Sequence, residues 1–158
     1  MTQIVQYQPR FREACLGIFE SNRPRFFTES EKVDFTQWLN QDALTDYYVL
    51  LLDGQAIACG GVYSEAARKT AGLSWGMVHA AYHGKGYGKL FTAFRVSLIA
   101  KQFPGYRCVI DTSHHTEKFY ERFGFRTVRV QHDGYAPGLH KHWMEIPGDQ
   151  GAVTSQIS

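Results

Sequence analysis

The sequence predicts one mixed α/β domain, and three observations carry that expectation. Runs of β-prone residues alternate with segments of helical spacing, in the order β-α-α-β-β-β-α-β-α-β-β. A glycine-punctuated turn, His83-Gly84-Lys85-Gly86-Tyr87-Gly88, falls between a strand and the longest helix, as a helical crossover requires. The chain has 158 residues, 44% of them apolar and 20% charged, which suits one globular domain. A domain of this length buries about 70% of its unfolded surface.

Residues 2–7 are short and partly apolar, an edge strand. Pro9 suits a first helical turn, where its missing N–H costs nothing. Phe11, Ala14, Cys15, Ile18 and Phe19 then recur at helical spacing until Asn22-Arg23-Pro24 ends the helix. Thr28 and Glu31 have capping-box spacing and open a second helix carrying Val33, Phe35, Trp38 and Leu39. Residues 47–52 are strongly β-prone, Asp53-Gly54 is a hairpin turn, and 56–63 is the partner strand. Residues 71–79 read as another strand, with Gly76 a candidate bulge. After the glycine turn, Leu90, Phe91, Phe94, Val96, Leu98 and Ile99 mark a helix of about four turns, closed by Pro104-Gly105. Residues 107–112 are a compact strand, 113–123 a short helix stopped by Gly124, and 125–131 and 143–146 the last strands. From Pro147 the chain is small and polar, so the domain is expected over 1–147 and a disordered tail over 148–158.

A net charge of +2 without any basic run argues against nucleic acid and against an anionic membrane surface. No stretch approaches the ~20 apolar residues of a membrane span, and no basic segment followed by an apolar one opens the chain. Cys15, Cys59 and Cys108 are far apart in sequence and form no C-x-x-C pair. Neither a disulfide framework nor a zinc site is expected, and a reducing cytoplasm fits.

The glycine turn points to an anion. Glycine lets backbone amides approach a ligand and allows positive φ. The helix that follows contributes unpaired N–H groups and a partial positive charge, and Lys85 and Lys89 add to it. Together these suit a pyrophosphate. The phosphate-binding G-x-x-x-x-G-K-S/T loop fails, because Leu90 follows Gly88-Lys89 and His83 stands at the first glycine. The dinucleotide fingerprint G-x-G-x-x-G fails at Lys89 and at Phe91.

Here the chain resembles the GNAT acetyltransferase superfamily. That family's acetyl-CoA motif is Arg or Gln, two residues, Gly, one residue, then Gly or Ala, just after a strand. Gly86 and Gly88 match; His83 stands for Arg or Gln, and Ala80 for the Pro common before it. A second family segment, N-x-x-A-x-x-F-Y-x-x-x-G-F, is matched at Phe119, Tyr120, Gly124 and Phe125, with Ser113 replacing Asn and Thr116 replacing Ala. The resemblance implies a GNAT-like fold, a central twisted, mostly antiparallel sheet of about seven strands flanked by about four helices. It implies an acetyl-CoA-dependent N-acetyltransferase with a small-molecule or peptide amine as acceptor. The pantetheine arm would lie on the backbone of Met77, Val78 and Ala80. The pyrophosphate would lie on His83, Gly84, Lys85, Gly86, Tyr87, Gly88 and Lys89. Ser113 would hydrogen-bond the cofactor or cap the helix. Tyr120 matches the family's general acid, since a phenol carries its proton at neutral pH.

Other residues stay open at this level. His79 and Asp111 are candidate bases without an assigned role, and Cys108 reads as a buried strand residue. His140 and His142 share a strand face but lack a third ligand, so a solvated or substrate-facing edge is expected and no metal. Arg23 and Arg25 could grip a carboxylate, or lie in a solvated loop, and Trp75 and Tyr135 could wall an apolar pocket, or pack. A non-catalytic acyl-CoA binding module is the rival reading, and a homodimer is an assembly open to either.

Overall fold

A computed structural model describes residues 1–23, 25–41 and 46–148. Pro24, the expected helix stop, and residues 149–158 of the expected tail lie outside the described residues. The described elements follow the expected order. They are β1 (Thr2–Gln6), α1 (Arg12–Ser21), α2 (Glu29–Gln41), β2 (Tyr47–Leu52), β3 (Gln55–Glu65), β4 (Thr70–Val78), α3 (Tyr87–Gln102), β5 (Arg107–Ser113), α4 (Glu117–Glu121), β6 (Arg126–Ala136) and β7 (Leu139–Ile146). The sheet is seven-stranded, in the order β1-β2-β3-β4-β5-β7-β6. Pairs β1–β2, β2–β3, β5–β7 and β6–β7 are antiparallel, while β4 and β5, joined through α3, are parallel. This is the mixed α/β, mostly antiparallel architecture the resemblance implies.

The described residues form two compact units, those of Met1–Val62 with Ser74–Arg95, and those of Tyr63–Leu73 with the described residues from Val96 onward. In the first, β2 explains its own composition. Tyr47, Val49 and Leu51 point into a cluster with Phe11, Cys15, Ile18 and Phe19 of the α1 region and Phe35 and Leu39 of α2. Leu50 points the other way, against Ile57, Ala58 and Phe91 of α3. A strand covered on both faces reads as a continuous apolar run instead of an alternation. The capping box opens α2 as expected: Glu31 N–H donates to Thr28 Oγ1 at 3.2 Å, and Thr28 N–H donates to Glu31 Oε1 at 3.0 Å.

In the second unit, the buried residues include Cys108 and Ile110 of β5, Tyr120 of α4, Phe125, and Leu139 and Met144 of β7. Three elements depart from expectation. The helix over 113–123 is a 3-10 turn, His114–Thr116, followed by five α-helical residues. Ser113, two histidines and Thr116 are weak helix formers, so a tighter opening turn takes their place. Strands β6 and β7 extend well beyond 125–131 and 143–146, because pairing between them continues at Val130–His142, Gln131–Lys141 and Ala136–Leu139 through residues of low strand propensity alone.

Candidate active site

The expected site residues fall in two stretches, one in each unit. The first runs from the end of β4 into α3. Trp75 has φ of 42°, so the extended backbone breaks at the residue before Gly76, where a bulge is expected. Side chains hold the carbonyls around this break. The Tyr47 hydroxyl donates to Trp75 O at 2.6 Å, and burial pushes that phenol well above its ordinary range, so it stays a donor. Arg95, only 2% exposed, reaches back from α3 and donates to Gly61 O of β3 and Ser74 O of β4, both at 3.0 Å. The guanidinium lies where side chains at Gly60 and Gly76 would otherwise be. Beyond the break, Asn22 Nδ2 donates to Val78 O at 2.9 Å, and His83 Nε2 bonds the same oxygen at 2.7 Å. The His83 imidazole is therefore turned back onto the strand.

Ala80 opens a 3-10 turn, Ala80–Tyr82, and its N–H donates to Ser21 Oγ at 2.9 Å. The proline common at this position could not make that bond. His79 Nδ1 accepts from Ala81 N–H at 3.1 Å, so this imidazole caps the turn. Gly84 and Gly86 have φ of 75° and 88°, with open space where a Cβ would stand. Helix α3 begins at Tyr87, without an acidic residue in its first turn. The leading N–H groups of such a helix lack intrahelical acceptors, and Gly88 and Lys89 stand among them. Lys85 lies over the Tyr82 ring at 5.6 Å.

The second stretch is in the other unit. Tyr120 is buried on α4, edge-on to Phe119 at 5.0 Å and to Phe125 at 5.8 Å. Ser113 is buried and its side chain does not cap the turn that follows. Beside them, His142 Nδ1 lies 2.9 Å from Glu117 Oε2, which also accepts from Thr127 Oγ1 at 2.6 Å. The Thr127 bond first, and then His142, hold this carboxyl below the usual range.

A family model described as an acetyltransferase (GNAT) domain matches residues 43–127, more than half of the chain. The chain belongs to the GNAT acetyltransferase family. No curated protein sequence matches it. Among solved structures, this GNAT domain is similar to the ribosomal-protein-S18-alanine N-acetyltransferase from Escherichia coli, at 16% identity over 94% of each chain with a TM-score of 0.76. It is also similar to a GCN5-related N-acetyltransferase from Kribbella flavida, at 16% identity over 92% of this chain and 97% of that one, TM-score 0.73. Ard1 from Thermoplasma volcanium gives 16% identity over 91% and 95%, TM-score 0.70. At these identities the likeness is one of fold.

The residues left open for this GNAT domain's acceptor site have the following partners. Arg23 is paired with Glu20 at 2.7 Å and Glu29 at 2.6 Å, and Arg25 lies over the Phe26 ring. Trp75 packs among Phe19, Phe27, Phe35 and Trp38. The Tyr135 hydroxyl donates to Asp111 Oδ2 at 2.7 Å. Sequence reasoning missed Asn22, Tyr47 and Arg95. The one signal for Arg95 was an arginine amid the apolar positions of α3, opposite a strand with consecutive glycines. His140 and His142 do not form a pair: His142 meets Glu117, while His140 gathers with His132 and Asp133. Among the described residues, no helix is long and apolar enough to cross a membrane.

Proposed function

We propose that this chain binds acetyl-CoA at the turn opening α3 and transfers the acetyl group directly to a primary amine, of a small molecule or of a peptide or protein. The observation that carries the reading is the pair of left-handed glycines, Gly84 and Gly86, leading at once into a helix N-terminus free of acidic side chains. A pyrophosphate fits such a cradle because both the backbone amides and the helix dipole favour negative charge. His83, Gly84, Lys85, Gly86, Tyr87, Gly88 and Lys89 would hold the pyrophosphate, His83 through its main chain because its ring is committed to Val78 O. Met77, Val78 and Ala80 would hold the pantetheine arm, and Ser113 would hydrogen-bond the cofactor. Bound acetyl-CoA supplies an activated acetyl thioester. Tyr120 holds its proton on Oη and delivers it to the departing thiolate. The described cysteines are free and buried, which supports a reducing compartment such as the cytoplasm.

Thermal unfolding with acetyl-CoA, and with ATP and NADH as controls, tests the reading. Ligand at 100 times its Kd adds about 2.7 kcal/mol. For a chain of this length that raises Tm by roughly 5–11 °C. A rise with acetyl-CoA alone is expected. No rise, or a larger one with ATP or NADH, overturns the assignment.

A further inference from the structure

On a regular strand, neighbours such as His132 and Asp133 point to opposite faces. In the β6–β7 hairpin that alternation is broken. The ladder is irregular between Gln131 and Ala136, and Asp133 takes a left-handed φ of 55°. As a result, one ligand-type atom each from His132, Asp133 and His140 lie within 4.8 Å of one another. The break is built into the sequence. A Cβ on Gly134 would stand 2.5 Å from Lys141 Cβ and 3.1 Å from Gln131 O, so glycine is what lets the bulge close. Left-handed backbone at a non-glycine residue is strained, and such strain and such bulges recur where a side chain is re-aimed for a task.

Hydrogen bonds also hold the Asp133 carboxylate and the His140 backbone. Gly138 N–H donates to Asp133 Oδ1 at 2.8 Å, and His140 N–H donates to His114 Nδ1 at 3.1 Å. The His132 and His140 rings meet edge-on at 4.3 Å. A bond such as the one to Asp133 orients a carboxylate donor in metal centres.

We propose that His132, Asp133 and His140 form a binding site for a borderline divalent transition-metal ion of the zinc class. Two imidazole nitrogens and one carboxylate oxygen suit zinc, nickel or copper, whereas magnesium and calcium take oxygen donors. Three protein donors leave a fourth position for water or an exchangeable ligand. Within the hairpin, His140 Nδ1 accepts the Asp133 N–H at 3.0 Å and stands 3.7 Å from Asp133 Oδ1. Coordination frees that amide, exchanging one neutral hydrogen bond for a metal–nitrogen bond. His132 and Asp133 are exposed, so their side chains can turn the remaining distance toward a common ion. The bound ion ties β6 to β7, and the site stands independently of the acetyl-transfer reading.

The test is calorimetric titration of untagged, chelator-stripped protein with zinc chloride, with circular dichroism verifying that each variant is folded. One saturable site is expected. His132→Ala, His140→Ala and Asp133→Asn each weaken it by about tenfold or more, while His115→Ala leaves it unchanged. No saturable binding by the wild type, or undiminished binding by His140→Ala, overturns the proposal. Should a variant fail to fold, amide NMR of the wild type decides: zinc must shift the Asp133 and His140 resonances at one equivalent, and unmoved resonances overturn the site.

Discussion

The Tyr120 ring packs edge-on between Phe119 and Phe125, so its packing role and its proposed proton-transfer role can be separated by one atom. Tyr120→Phe keeps the ring contacts and removes only the hydroxyl. Steady-state kinetics should show kcat lower by about 10²–10⁴, the usual contribution of a general acid, with acetyl-CoA affinity little changed. An unchanged kcat would leave Tyr120 a packing residue and assign the proton transfer to another group. Gly76→Ala acts differently, by forcing a methyl group into the space of the Arg95 guanidinium. Denaturant unfolding should show a loss of about 1–3 kcal/mol, the range for overpacking a filled site. A neutral result would mean that Arg95 can withdraw from the slot. Gly76 was legible as a break in β4, because an isolated strand glycine marks one. Arg95 was not, because α3 periodicity says which way a residue faces but not that a guanidinium there will thread a gap between glycines.

Helix α3 illustrates what an element shows in advance and what it hides. Its start and length were readable from three glycines in five residues, a run of apolar positions and Pro104-Gly105. The attachment of its leading turn to α1 was not: Asn22 looked like part of a helix stop, yet it bonds Val78 O, and Ser21 receives the Ala80 N–H. These are side-chain-to-backbone bonds across more than 50 residues, and local spacing carries no trace of them. Gly86→Ala tests the element's role. Open space surrounds the new methyl group, so the cost is that of left-handed backbone, about 1–2 kcal/mol. Calorimetry should show acetyl-CoA affinity falling further than stability does, since the methyl group also enters the space assigned to the pyrophosphate. Equal affinity in the variant would move the cradle elsewhere. Strands β6 and β7 were underestimated for the opposite reason. Their additional residues are strands because each pairs with the other, as at Ala136–Leu139, and β7 already pairs with the expected part of β6 at Lys141 and His142.

Across the whole molecule, strand order along the chain was legible, but β7 lying between β5 and β6 in the sheet was not, since pairing between distant segments leaves no local period. Overall stability should depend on acid pH partly through Glu117. Its folded carboxyl titrates below the ordinary range near 4.3. The stabilisation is therefore present above that range and is lost as pH falls through the depressed folded value. Urea unfolding of wild type and Glu117→Gln should differ at neutral pH and converge in acid; a pH-independent difference would show that the carboxylate charge is irrelevant. A last consequence follows from the three buried thiols. Cys15 and Cys59 belong to the first unit, with the Cys15 thiol raised by its hydrogen bond to Cys59, and Cys108 belongs to the second. Native protein should thus resist alkylation, and a brief pulse of iodoacetamide becomes a mass label for opening. One adduct marks the second unit opening alone, two mark the first, and three mark a chain that comes apart in one step.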